Sequence, residues 1–171
     1  MTINAAILDT TGLITNVIVV NELTDVPGAV VLPDGLIIGN KITDAPSLTN
    51  YKRTQSVAIS TACAYFISGG GISSALGALH TYPTKATDQA NLNASVVSSL
   101  LPGLPPTWTT PFWCADSTGA WSYVQHTAAQ IQQVGTDVKA FIISCQTKNA
   151  TLQAAIQAAT TVEAVQAVVW A

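Results

Sequence analysis

The sequence predicts an α+β protein: a small N-terminal β-meander followed by a mainly helical domain that contains one β-hairpin. Three observations predict it. Short Ile- and Val-rich runs punctuated by turn residues fill the stretch up to Ile38. Beyond Asn50, apolar residues recur at the three-to-four spacing of helix faces. Between two such stretches lie paired aromatic segments, joined by a tetrapeptide with turn chemistry.

The elements follow in order. Asn4 to Leu8 and Leu13 to Val20 flank Asp9-Thr10-Thr11-Gly12, where Asp can bond the local backbone and Gly accepts positive φ, so they read as a hairpin. After a loop broken by Pro27-Gly28, Ala29 to Leu32 reads as a third strand. Leu36 to Ile38, beyond Pro33-Asp34-Gly35, reads as a short fourth. Residues 1–40 therefore form a β-rich attachment domain, 41–50 a connector containing Pro46, and 51–171 the helical domain.

That domain opens with a helix capped by Thr49 or Asn50, whose face is Val57, Ala58, Ala62, Cys63 and Phe66 and which stops at Gly69-Gly70-Gly71. A polar, turn-rich stretch through Tyr82-Pro83 precedes a second helix from Asp88 to Leu101, with Leu92, Val96 and Leu100 on one side. The proline-rich segment from Pro102 to Pro111 excludes regular structure. Phe112 to Ala115 and Ala120 to Gln125 then form a hairpin around Asp116-Ser117-Thr118-Gly119. Thr127-Ala128-Ala129-Gln130 is a capping box. It opens one long helix to about Ala158, with Ile131, Val134, Val138, Phe141, Cys145, Leu152 and Ile156 on its apolar face. Gly135, and the polar pair Lys148-Asn149 where the next anchor should fall, argue against a coiled coil. A second box at Thr160-Thr161-Val162-Glu163 starts a short last helix running towards Trp170.

Composition narrows the function classes. Only 9% of the chain is charged while 49% is apolar, against roughly 25% charged in ordinary soluble domains. Surfaces so poor in charge repel one another weakly and suit a part held in an assembly. The net charge is -3 and the basic residues are scattered, so no stripe exists to neutralise a nucleic-acid backbone. No run approaches the roughly 20 apolar residues of a membrane span, and no secretory signal is expected. Cys63, Cys114 and Cys145 lack CxxC spacing and read as small buried apolar residues, in keeping with synthesis in a reducing cytoplasm.

No catalytic, cofactor or metal site is expected. His80 and His126 read as structural groups, and a Cys114, Asp116, His126 cluster has no spacing that fixes ligand or nucleophile geometry. Asp88 reads as a helix N-cap and Asp116 as a turn residue. Gly69-Gly70-Gly71 lacks the Lys-Ser/Thr of a phosphate loop. Trp108, Trp113, Trp121 and Tyr123 make a dense aromatic group. Trp121 is expected to fill the core, and Trp108, which follows Pro105-Pro106, to anchor an interface. The candidate interface is Ile3, Val17, Val19, Trp108 and Trp113, with open β-edge among residues 3–38 available for strand pairing.

The order of motifs carries a resemblance. Ser73-Ser74-Ala75-Leu76-Gly77, His80-Thr81-Tyr82 and Asp88-Gln89-Ala90-Asn91-Leu92 precede the Trp-bearing hairpin. His126-Thr127-Ala128-Ala129-Gln130 and Ala158-Ala159-Thr160-Thr161 with Trp170 follow it. Over roughly residues 55–171 this resembles an uncharacterised domain family of tail and tail-fibre-associated proteins of tailed bacteriophages. The segment from Thr2 to about Asn40 is similar in style to the β-rich heads of phage tail-fibre-assembly proteins. The resemblance implies a non-enzymatic tail component at the baseplate, tail tip or fibre base, made in the host cytoplasm and located in the virion. Its partners would be other tail or tail-fibre proteins, and it would be oligomeric within the particle. The alternatives are a tail-fibre assembly chaperone and a carbohydrate-binding receptor-recognition module.

Overall fold

A computed structural model describes residues 2–33, 35–43 and 47–171. The chain is α+β, as the sequence predicts, and divides into two compact units. One comprises residues 1–59 with 152–171, the other residues 60–151. Asp34 of the expected turn, and residues 44–46 of the expected connector, lie outside the described residues.

In the first unit, strands β1 (Ile3–Leu8) and β2 (Ile14–Val20) form the expected antiparallel hairpin. Its turn is built by Asp9, whose Oδ1 accepts hydrogen bonds from Thr11 N, Thr11 Oγ1 and Leu13 N at 2.7–3.0 Å. Gly12 takes the positive φ of 81° that closes the loop. A third strand, β3 (Val30–Val31), pairs with β1, giving the order β2-β1-β3. The chain therefore crosses over β1 instead of meandering. Leu36 to Ile38 is not a strand. Leu36 N–H closes a turn onto the Pro33 carbonyl, and the following residues bond the start of β2 through Gly39 N to Ile14 O and Ile14 N to Asn40 O. Leu36 is buried with Ala6 and Ile14, so its apolar side chain serves core filling and not sheet pairing, while Ile38 is exposed.

The same unit holds a helical core. Helix α1 (Leu48–Ser68) is opened by Ser47, whose Oγ accepts from Asn50 N at 3.2 Å, so the cap precedes the expected Thr49 or Asn50. Ile59 packs with Ile156 near the end of helix α3 (Ala128–Ala158) and Val165 of helix α4 (Val162–Gln166). Thr161 Oγ1 caps α4 by accepting from Ala164 N, one residue later than the box read from Thr160. Lys52 Nζ donates to Gln157 O, Gln55 to Val168 O, and Gln153 to Ser56 O. The buried stripe of α1 here is Ile59 with half-buried Leu48 and Tyr51, and Val57 is exposed. Of the expected face, Cys63 is buried and Ala62 half-buried, whereas Val57, Ala58 and Phe66 are exposed. The stretch from Val57 to Phe66 is apolar nearly all round, so periodicity alone cannot select the face that packs.

The second unit is a four-stranded antiparallel sheet with helices against it. Its strands are β4 (Gly71–Ser73), β5 (His80–Tyr82), β6 (Thr109–Ala115) and β7 (Trp121–Thr127), in that order. The hairpin read from the aromatic segments is therefore half of a larger sheet, and β6 begins at Thr109, so the end of the proline-rich segment is strand and not irregular as expected. β4 and β5 span only three residues each, too short for alternation to show. After α1 ends at Ser68, Thr84 ties down its terminus by donating to the Ile67 carbonyl and accepting from Gly70 N. Helix α2 (Ala86–Ser99) then begins. Asp88 sits three positions into it, and its Oδ2 accepts from Lys85 N at 3.1 Å. The carboxylate thus caps from inside the helix, not from the N-cap position expected for it.

β7 runs straight into α3 with no loop. Thr127 Oγ1 accepts from Gln130 N at 3.3 Å and Gln130 Oε1 accepts from Thr127 N at 2.9 Å, the reciprocal box read from the sequence. Ile131, Val134 and Val138 of α3 pack on Phe112 and Cys114 of β6, Tyr82 of β5 and Leu92 of α2. Gly135 lets α2 approach closely. A Cβ there would lie 2.8 Å from Val96 Cγ2. Thr127→Ala should cost about 1 kcal/mol, measured as a lower urea midpoint with an unchanged slope.

Candidate functional site

Alternation along β6 and β7 sorts the side chains of the aromatic hairpin onto two faces. Phe112, Cys114 and His126 point inward and are buried. Trp113, Trp121 and Tyr123 stand on the other face, exposed by 40%, 44% and 71%. The register pairs Trp113 with Tyr123 and Ala115 with Trp121, placing the three rings side by side. Trp113 and Trp121 stack with centroids 6.1 Å apart and planes 18° off parallel, while Tyr123 lies 4.9 Å from Trp113. The turn that fixes this register repeats the first hairpin: Asp116 Oδ1 accepts from Thr118 N, Thr118 Oγ1 and Ala120 N, and Gly119 carries φ 85°. These bonds hold the Asp116 carboxyl below its usual pKa, as those from Thr11 and Leu13 do for Asp9.

Beside the rings runs a groove of about 520 Å³. One wall is Pro111, Trp113 and Tyr123; the other is Asp88, Asn91 and Ser95 of α2.

A buried polar chain lies on the inner side. Tyr82 Oη is 2.9 Å from His126 Nε2, and His126 Nδ1 is 2.8 Å from Val124 O. The carbonyl can only accept, so Nδ1 carries the proton and Nε2 accepts from the phenol. Burial depresses the His126 pKa and raises that of Tyr82, keeping both neutral. Cys114 touches the same phenol, and burial pushes its thiol pKa up as well. A protonated, covered thiol beside a fully buried imidazole is poorly placed as a nucleophile. Among the described residues, no three His, Cys, Asp or Glu side chains converge as metal ligands, so Cys114, Asp116 and His126 do not form such a group. His80 bonds Ala78 O in its own loop. All three cysteines are buried and free, with Cys63 Sγ donating to Cys145 O.

The other expected interface residues scatter. Trp108 is half-buried and packs on the core of the second unit, whereas Trp121, expected to fill the core, is exposed. Val19 is exposed on edge strand β2, whereas Val17 is half-buried against the sheet's core. Ile3 belongs to the central strand β1 and not to an edge. The Tyr82–His126 pair and the groove wall of α2 were missed from sequence. They join residues 44 and about 30 positions apart, with no local pattern to announce them.

Residues 50–169 match the family model of a domain of unknown function, DUF4376. The chain belongs to this family. The DUF4376 match takes in the whole sheet β4-β5-β6-β7, the aromatic face and the groove beside it, and stops short of the N-terminal sheet. No curated protein and no solved structure matches the chain. No helix among the described residues is long and apolar enough to cross a membrane.

Proposed function

We propose that the protein is a non-enzymatic structural component of a bacteriophage tail, sited at the baseplate, tail tip or fibre base and working by docking. The observation that carries this reading is how much large apolar surface stays open on so charge-poor a chain. Besides the three hairpin rings, Val19, Val57, Tyr65 and Leu79 are exposed. Scattered apolar residues are ordinary, but so many large ones on a chain this poor in charge suit a surface that partners cover in part. Strand β2 offers a second means of attachment. Beyond Ile14 no strand among the described residues lies on its outer side, and an open edge can take a partner's strand. Asn16 partly blunts that edge, its carboxamide oxygen accepting from Val17 N. The motif resemblance to tail-associated proteins supplies the biological setting, with synthesis in the host cytoplasm and residence in the virion.

Quantitative mass spectrometry of gradient-purified particles tests the reading. The chain should appear at a fixed ratio to the other tail proteins. Presence in the infected-cell lysate with absence from particles would replace it with an assembly chaperone.

A further inference from the structure

We propose that the groove between α2 and the aromatic face of the β6–β7 hairpin binds an uncharged saccharide. Its volume of about 520 Å³ falls in the range of small-ligand sites, roughly 300–1,000 Å³. Trp113 and Tyr123 give one wall flat, exposed rings of the kind that the C–H face of a pyranose covers. The opposite wall supplies hydrogen-bonding groups that the fold leaves unused. Neither the Asn91 nor the Ser95 side chain bonds to any described residue, and Asp88 uses one carboxylate oxygen, on Lys85 N. An amide that both donates and accepts, a hydroxyl and a carboxylate oxygen match the adjacent hydroxyls of a sugar, each of which also does both.

The same groups decide against other occupants. No Lys or Arg lines the groove, and Asp88 would repel a sialylated, sulfated or phosphorylated ligand. A proline-rich peptide also favours aromatic grooves, but it offers few N–H donors to match Asn91, Ser95 and the second Asp88 carboxylate oxygen. A neutral sugar satisfies both walls. This site does not depend on a location in a tail, so particle composition and sugar binding can fail separately.

The test is a titration of the purified full chain with uncharged pentasaccharides of glucose, mannose, galactose and N-acetylglucosamine, followed by tryptophan fluorescence. At least one should saturate with a dissociation constant below about 1 mM. Trp113→Ala should weaken that binding by about tenfold or more. Asn91→Ala, on the exposed surface of α2, should weaken it about fivefold. Trp113→Phe should retain most of it, and Trp108→Ala should leave it unchanged. If Trp113→Ala unfolds, Asn91→Ala decides. The proposal is overturned if no sugar of the panel saturates below about 10 mM, if binding survives Asn91→Ala unchanged, or if a decaproline peptide binds where the sugars do not.

Discussion

Ile131→Ala should destabilise the unit of residues 60–151 by about 2–5 kcal/mol. Ile131 is fully buried at the first turn of α3, where the capping box sets the helix directly onto the sheet. Its neighbours in the cluster are Tyr82, Leu92, Phe112, Cys114, Val134 and Val138. They come from β5, β6, α2 and α3, so collapse around the cavity would have to move several elements at once. That places the cost towards the upper part of the range. Urea unfolding followed by tryptophan fluorescence reads it, because Trp108, Trp113 and Trp121 all belong to this unit. A loss under about 1 kcal/mol would mean that the site relaxes freely and that this cluster is not the unit's core.

Tyr82→Phe should cost about 1–3 kcal/mol, although it removes a single oxygen. The variant leaves His126 Nε2 as an acceptor with no donor in a fully buried position. The same pair makes stability depend on pH. Burial lowers the folded-state pKa of His126, while the unfolded chain titrates near the ordinary value of 6.5. Between those two values the unfolded state binds a proton that the folded state refuses. Stability is therefore fully present above about pH 6.5 and is lost as pH falls from there towards the depressed folded value. Unfolding free energies measured from about pH 7.5 down to about pH 5 should show this decline, and His126→Gln should flatten it. An equal slope in parent and variant would assign the dependence to groups other than His126.

How much the sequence revealed depended on whether the signal was local. Both Asp-x-Thr-Gly turns, the Thr127–Gln130 box and the buried stripe of Ile131, Val134, Val138, Cys145 and Ile156 were legible. Each is carried by neighbours within a turn or by one sustained period. The face of α1 was legible only in Cys63, since Val57 through Phe66 offers apolar residues in every direction and only tertiary contact selects Ile59 over Val57. β4 and β5 escaped because three residues carry no period, and the order β2-β1-β3 because pairing partners lie in no single stretch. The aromatic group was recognised as a candidate surface. Yet only strand register shows that Trp121 faces out, while Trp108, which precedes β6, is held against the core by packing that no local pattern announces. Asn91 and Ser95 look like ordinary helix-surface residues until α2 is set beside the hairpin.

The division of the chain bears on the order in which it can mature on the ribosome. Residues 60–151 form one uninterrupted stretch and hold all the contacts of their own core. The unit of residues 1–59 and 152–171 must wait, because Ile59 is translated well before its partners Ile156 and Val165. A nascent polypeptide can therefore complete the unit of residues 60–151 while the first half of α1 still lacks its cover, leaving Ile59 as a transient hazard for self-association until synthesis passes Val165.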